Sequence, residues 1–497
     1  MLRKIRIAIA AVMFVGVTLL FLDLSGSLHA WLGWMAKIQF LPAVLALNLI
    51  IVALLAILTL VFGRVYCSVI CPLGIFQDIV SWLSGRRKGK KSRFHYVKEH
   101  KWLRYGLLGL FIVALIAGIQ PFVALLAPYS AYGRIVQSIF APLVGWCNNL
   151  LALLAERAGS YAFYTREVWL KSAGVLAVAA ATLVAVVWLA WKNGRTWCNS
   201  ICPVGTTLSF LSRFSLFRPV IDAEKCRDCH MCEKKCKASC IDISGGHKID
   251  YSRCVDCFDC IDNCKFGALK YRFAYARPKD AAGDPESSGG GRRAFLASAA
   301  LVAFGGAARS QEKKLDGGFA QILDKEKPRR NVPLTPFGSK SVKDFYKHCT
   351  ACQLCVSACP NNVLRPSQDL TRFMQPEMSY ERGYCRPECT VCSDVCPTGA
   401  ILPLTPEEKT VFHIGTAVVD RSLCIVEAKD TSCGNCSRHC PTGAIIMVPM
   451  DPDDKDSLRR PVVNEDQCIG CGACENLCPS RPISAIHVEG LHVHVSN

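Results

Sequence analysis

"CRDCHMCEKKC" fills residues 226–236 and "CVDCFDCIDNC" residues 254–264. Both read C-x2-C-x2-C-x3-C. Three thiolates this close together can hold three corners of a [4Fe–4S] cube, and the fourth reaches a neighbouring cube. Two adjacent groups then complete each other. Cys226, Cys229, Cys232 and Cys264 form one ligand set, and Cys254, Cys257, Cys260 and Cys236 form the other. "CRDCH" (226–230) also matches the signature of covalent haem attachment. Inside a full quartet it reads as a cluster loop with an incidental His230, and no haem is expected.

Four more groups follow. Cys349, Cys352, Cys355 and Cys359 keep the same spacing, as do Cys468, Cys471, Cys474 and Cys478. Two groups depart from it. Cys385, Cys389, Cys392 and Cys396 open with x3, and Cys424, Cys433, Cys436 and Cys440 open with x8. The six groups use 24 of the chain's 30 cysteines. This is the bacterial ferredoxin pattern, so six [4Fe–4S] clusters in α+β ferredoxin domains are expected. For the last four groups the spacing permits sequential or nested sharing. The adjacency of the two irregular groups favours nesting, first with fourth and second with third.

Upstream lie four apolar stretches long enough to cross a bilayer: Ile5–Leu24, Leu41–Phe62, Gly106–Leu126 and Ser172–Trp191. The fold class expected is an α-helical membrane domain of four transmembrane helices, with a fifth allowed further on, joined to ferredoxin domains. Basic residues cluster before the first stretch, between the second and third, and after the fourth. The positive-inside rule then puts both ends of the four-helix unit in the cytoplasm. It also accounts for the formal charge of +18 without nucleic acid. Residues 132–155 are expected to lie along the outer surface. The spans contain no histidine, which argues against a haem held within them.

The second and fourth stretches each end in the same nonapeptide, "YCSVICPLG" (66–74) and "WCNSICPVG" (197–205), with Gly63-Arg64 and Gly194-Arg195 just before. The unit is thus a parallel repeat about an axis along the membrane normal. Such an axis brings Cys67, Cys71, Cys198 and Cys202 together as a possible seventh metal site. An iron–sulfur cluster, a structural zinc and unligated thiols all remain open there. Cys147 and Cys240 stand outside every motif.

After the first ferredoxin pair the composition changes. "RPKDAAGDPESSGGG" (277–291) reads as a flexible linker. "RRAFLASAALVAFGGAARS" (292–310) reads as a twin-arginine export address. The organisation expected is 1–214 membrane domain, 215–275 cytoplasmic two-cluster ferredoxin, 276–291 linker, 292–310 twin-arginine segment, and 311–497 exported four-cluster polyferredoxin.

Residues 1 to about 275, with their paired C-x3-C-P motifs, resemble the NapH-type membrane quinol dehydrogenase component. The twin-arginine segment and the four cysteine groups after it resemble the NapG-type polyferredoxin. The C-x3-C-P pair with a ferredoxin is also similar to the NosR and RdxA/CcoG types. The resemblance implies a multi-pass protein of the bacterial inner membrane with its last part in the periplasm. It would take electrons from the membrane quinone pool, with quinol as substrate. It would pass them to a periplasmic redox protein, such as a multihaem cytochrome or a nitrate reductase. The RdxA/CcoG likeness admits a different role, reductive maturation of a respiratory metal centre. No G-x-G-x-x-G opens a helix after a strand, so no nicotinamide cofactor is expected. Asp23, His29 and Gln39, near the outer boundary, are the candidate polar residues for a quinone site.

Replacing Arg292 and Arg293 with Lys should hold the C-terminal half inside the cell and leave the first ferredoxin pair loaded. Protease added to spheroplasts should then no longer digest residues beyond about 310.

Overall fold

The computed structural model describes residues 1–23, 26–85, 94–275, 323–454 and 457–496. The expected linker and the twin-arginine segment lie outside the described residues. Among the described residues, three helices are long and apolar enough to cross a membrane: Leu2–Phe21, Pro128–Arg157 and Ala173–Asn193. Leu49–Phe62 is a shorter apolar helix.

Two of the four expected spans form as single helices, and two are interrupted. The stretch 41–62 breaks after Phe40–Leu45, where Leu47 turns left-handed (φ 52°). Asn48 then caps Leu49–Phe62 by accepting a hydrogen bond from the Ile51 N–H, a role that suits an asparagine placed before an apolar run. The stretch 106–126 stops at Gly118, a left-handed cap after Lys101–Ala117, and restarts as Gln120–Leu126 with Pro121 in its first turn. Residues 132–155 do not form a separate surface element. They belong to the 30-residue helix Pro128–Arg157. Pro142 can give no N–H to that helix, and the wide π turn Val136–Phe140 lies in the turn just before it.

The internal repeat is visible in three dimensions. Leu49–Phe62, Val65–Val69 and Pro72–Gly85 correspond to Ala173–Asn193, Trp197–Ile201 and Pro203–Ser212. The packing is reciprocal: Pro72–Gly85 lies against Ala173–Asn193, and Pro203–Ser212 against Leu49–Phe62. Gly63 and Gly194 end the two helices at φ 74° and 70°. A Cβ on either would collide with the first ferredoxin unit, at Asp256 Oδ2 (2.2 Å) or at the Lys237 carbonyl (2.5 Å).

The ferredoxin units sit at opposite ends of the helices. At one end Arg3 reaches Asp259 and Asp262, and the Arg195 N–H donates to the Lys237 carbonyl (2.8 Å). At the other, Gln120 Nε2 donates to the Lys347 carbonyl (2.6 Å) and Lys171 Nζ to that of Val356 (3.0 Å). The helix Leu2–Phe21 runs from one unit towards the other, about 30 Å at 1.5 Å per residue.

Each unit combines a pair of short helices with small antiparallel sheets. In the first, Phe217–Ile221 pairs with Leu269–Phe273, and Ile241–Asp242 with Lys248–Ile249. In the C-terminal half, Leu364–Pro366 pairs with Pro376–Met378, and Ile445–Pro449 with Arg459–Val463. There too, Phe412–Val419 pairs with Ile486–Ser496.

An ion cluster ties the first unit to the repeat. Asp78 Oδ2 accepts from Arg6 Nη1 (2.9 Å) and Arg195 Nη2 (2.8 Å), and Lys237 Nζ lies 3.6 Å from Oδ1. Lys237 also pairs with Asp259 (2.9 Å), which Arg3 holds from its other side (2.7 Å). Burial pushes the Asp78 carboxyl up, but Arg195, Lys237 and Arg6 together hold it well below the usual carboxylate range. Its contribution is therefore present above the unfolded value of about 3.9 and fades only in strong acid. Asp78→Leu should cost about 3–5 kcal/mol, since it leaves two buried guanidinium groups unpaired. Lys225→Ala breaks only the exposed pair with Asp222 and should cost under about 1 kcal/mol. Unfolding midpoints of the two purified variants check the contrast.

Candidate iron–sulfur and four-thiol centres

The four regular cysteine loops share one backbone shape. The second residue after the first cysteine and the residue after the second are left-handed in every case: Asp228 and His230, Asp256 and Phe258, Ala351 and Gln353, Gly470 and Gly472. Only the last pair is glycine. The other six residues carry the roughly 1–2 kcal/mol penalty of this conformation, so the loop shape is imposed by the site. The turn curls three thiols around one point. The third cysteine lies in a short helix: Cys232 in Met231–Lys235, Cys260 in Asp259–Asp262, Cys355 in Leu354–Ala358 and Cys474 in Ala473–Leu477.

Backbone N–H groups point at the sulfurs. Leu354 N–H faces Cys352, Ala473 N–H faces Cys471, and Ala417 N–H lies 3.3 Å from Cys468 Sγ. Converging thiols with inward N–H donors suit the thiolates of a cubane, and such hydrogen bonds tune its potential.

Cys236 lies within electrostatic range of Cys254, Cys257 and Cys260, as Cys226 and Cys229 do of Cys232. Cys264 is half-buried just past the helix Asp259–Asp262. The nested sharing expected for the last four groups is not what forms. Cys396 joins Cys349, Cys352 and Cys355, while Cys359 joins Cys385, Cys389 and Cys392. Cys440 joins Cys468 and Cys471, and Cys474 lies beside that pair. Cys478 joins Cys424, Cys433 and Cys436.

The sharing is therefore sequential. Contiguous groups close shorter loops, at lower entropic cost, than nested ones. The helices Leu354–Ala358 and Val391–Val395 pack together, as do Asn435–Arg438 and Ala473–Leu477. The irregular spacings change only the loop before the second cysteine and carry no information about the partner.

The thiol groups of the C-terminal half form a row. The Cys352 carbonyl lies against Gly133 of the long helix, so that group borders the apolar helices. The group of Cys385 comes next, since Cys359 belongs to it. The Cys385 N–H donates to the Cys471 carbonyl (3.0 Å), which brings up the group of Cys468, and the group of Cys424 is last. Buried Lys409 sets its Nζ 3.2 Å from Cys385 Sγ, a cation against the second group that the cysteine spacing did not reveal.

The repeated nonapeptides converge as the repeat axis requires. Cys67, Cys71, Cys198 and Cys202 are all buried, and Cys202 lies within electrostatic range of the other three. The arginines cross over. Arg195 Nη1 donates to the Cys67 carbonyl (2.5 Å), and Arg64 Nη2 to the Cys198 carbonyl (3.2 Å). Gly74 and Gly205 make room for them, because a Cβ at either would lie 2.2 or 2.4 Å from those same carbonyls. Gln77 Nε2 donates to Cys198 Sγ (3.2 Å), and the Gly205 N–H to Cys202 Sγ (3.4 Å). Four thiols, two guanidinium groups and inward donors suit an anionic metal–thiolate centre. Asp78 and Lys237 stand between this centre and Cys257 of the first unit.

Cys240, set aside in the sequence, is part of the first unit's site. Its Sγ lies 3.5 Å from Cys236 Sγ, and it hydrogen-bonds to Cys254. The signal was the register: Cys240 stands where "CKFGA", "CPTGA" and "CPTGA" carry Ala268, Ala400 and Ala444. Cys147 is exposed. His230 Nδ1 lies 2.8 Å from Glu233 Oε2. Of the polar boundary residues, Asp23 pairs with His29 (3.3 Å), and Gln39 is buried against Tyr66 and the Met35 carbonyl.

Comparison with known sequences agrees with this geometry. A family described as "4Fe-4S binding domain" matches residues 44–91 and 175–221, the two segments that carry the nonapeptides. A "4Fe-4S dicluster domain" matches 348–400 and 430–481, the two sequential pairs. These features define an iron–sulfur electron-transfer protein. The chain belongs to the family of Nap- and Mau-type ferredoxin-type proteins. It is 30% identical over 182 residues to the ferredoxin-type protein NapF of Escherichia coli strain K12, covering 36% of this chain and 99% of that protein. The methylamine utilization ferredoxin-type protein MauM of Methylobacillus flagellatus is 34% identical over 171 residues, 32% of this chain and 70% of its own. MauN of Paracoccus denitrificans is 28% identical over 178 residues, 36% and 49%.

Sequential sharing has a direct chemical test. Cys359→Ser and Cys385→Ser strike the same cube, so the double variant should lose about 4 iron per chain, no more than either single variant. Nested sharing would cost it about 8. Iron assay of anaerobically purified protein distinguishes the two.

Proposed function

We propose that this protein takes electrons from membrane quinol and passes them along its C-terminal row of clusters to an exported redox partner. The observation that carries the reading is the row itself. One thiol group borders the apolar helices at Gly133, and three more lead away from them. Each bound cubane supplies a one-electron carrier. Quinol oxidation releases two electrons and two protons, so two such carriers are filled per quinol. The protein's own residues set spacing, burial and charge, with Lys409 beside Cys385 favouring the more reduced, more negative state of that site.

In this reading residues 1–214 are the membrane module and 215–275 a cytoplasmic ferredoxin. Residues 276–291 are the linker, 292–310 the export segment and 311–497 the periplasmic polyferredoxin, as in a NapH-type component fused to a NapG-type one. The 24 cysteines of the six groups would hold six [4Fe–4S] clusters. Cys67, Cys71, Cys198 and Cys202 would hold a seventh iron–sulfur centre beside the first unit. The match of both nonapeptide segments to a 4Fe-4S binding family supports this, as do the crossed arginines. The partner would be a periplasmic redox protein, such as a multihaem cytochrome or a nitrate reductase.

Anaerobic purified protein should bleach in the visible when a quinol analogue is added without any partner. No bleaching would reject the quinol reading in favour of a maturation reductase. Metal analysis should give about 28 iron and no zinc per chain, while about 24 iron with one zinc would make the four-thiol centre structural. Protease on spheroplasts should digest residues beyond about 310 and spare 215–275.

A further inference from the structure

We propose that the cavity between the long helix Pro128–Arg157 and the start of Ala173–Asn193 holds the quinone head group. This rests on the quinol reading and gives it an address. The cavity measures about 560 Å3, within the range of small-molecule sites. Its wall is mostly apolar and includes Trp146, Trp169 and Leu176. It lies between two helices that can cross a membrane, and Leu143 and Trp146 on its rim are about half exposed. An apolar molecule can therefore enter sideways from a lipid phase.

Two polar side chains in that wall point to the ligand's chemistry. Gln137 and Gln353 are 7% and 1% exposed, and the Oε1 of each accepts no hydrogen bond. An acceptor buried without a donor loses the hydrogen bonds it had with water and destabilises the fold. Both residues line this one cavity, and amides turned into it would find their partners in a bound molecule with two hydroxyl donors. Quinol is such a molecule: a flat apolar ring with one O–H at each edge. Gln137 stands on the π turn Val136–Phe140, a distortion frequent at functional sites. Gln353 is the left-handed residue between Cys352 and Cys355. A ring held by both amides thus lies against the first thiol group of the row. On oxidation the quinol would become quinone, its two hydroxyl protons leaving to water at the exposed edge of the cavity beside Glu167 and its two electrons passing singly to two cubanes of the row. Of the boundary residues named from sequence, Asp23 lines this cavity, whereas His29 and Gln39 are not among its lining residues.

The test uses the full chain in nanodiscs, loaded with iron and kept anaerobic, with decylubiquinone as the probe. Wild-type protein should bind it in equilibrium dialysis, and decylubiquinol should bleach the clusters. Gln137→Leu, which removes an acceptor, and Ala141→Trp, which fills the cavity, should each weaken binding at least ten-fold while iron per chain stays constant. Gln137→Glu keeps an acceptor and should retain binding. Either of the first two variants decides the matter if it keeps its iron. Wild-type affinity in both, with bleaching intact, would overturn the cavity and leave the quinol reading standing. Loss of affinity with Ala141→Trp but not with Gln137→Leu would mark a lipid-chain pocket and overturn it equally. Absence of both binding and bleaching in wild-type protein would instead overturn the quinol reading itself.

Discussion

No loop of this chain closes a four-thiol site alone. In the ferredoxin units three thiols come from one turn and the fourth from another, as Cys236 does for Cys254 and Cys260, and Cys396 for Cys349 and Cys355. In the helical unit two come from each nonapeptide. This mutual completion sets the architecture. It pairs the short helices, and it holds each pair of groups as one folding piece. In the helical unit it brings together segments more than 120 residues apart. The crossed arginines extend the same rule, since each shapes the turn of the other repeat.

Charge then decides how the pieces join. Asp78, buried among Arg6, Arg195 and Lys237, fixes the first ferredoxin unit against the four-thiol centre. At the other end the contacts are more varied: an amide from Gln120, an ammonium from Lys171, the ion pair Arg382–Glu167, and the bare backbone of Gly133. The segment Pro128–Ile135 packs on Pro72–Gly85, which begins beside Cys71, and on the loop of Cys352. A single short stretch of helix thus touches the surroundings of both the four-thiol centre and the first group of the C-terminal row.

Cysteine spacing carries the ferredoxin units because the cubane dictates it: loop length and ligand count are chemical requirements visible as letters. The repeat was equally legible, since Gly, Arg, Cys and Pro recur at fixed offsets. The helices Leu2–Phe21 and Ala173–Asn193 followed from uninterrupted apolar runs. The breaks at Asn48 and Gly118 did not, because a capping residue inside an apolar run barely alters its hydropathy. The long helix through Pro142 was hidden for the opposite reason, as the backbone absorbs the proline in a π turn that no residue type announces. Cluster sharing was also hidden. The fourth thiol of a group looks the same whichever neighbour it serves, and for the last four groups only the packed helix pairs resolve it. Cys240 could have been found by aligning the cluster tails, where it replaces alanine.

The crossed arginines also set an order of manufacture. Arg64 donates its hydrogen bonds to Asn199 Oδ1, the Cys198 carbonyl and the Ser252 carbonyl. All three are translated long after it. A nascent chain that has passed only the first nonapeptide therefore holds a guanidinium destined for the interior with almost none of its acceptors yet made. That turn has to wait at the water interface until the second repeat and the first ferredoxin unit emerge. Closure of the four-thiol centre is then a late event, coupled to the folding of residues beyond 215. A chain cut short before residue 252 leaves Arg64 without the carbonyl that Ser252 supplies, so the turn of the first nonapeptide is completed only by residues of the ferredoxin unit.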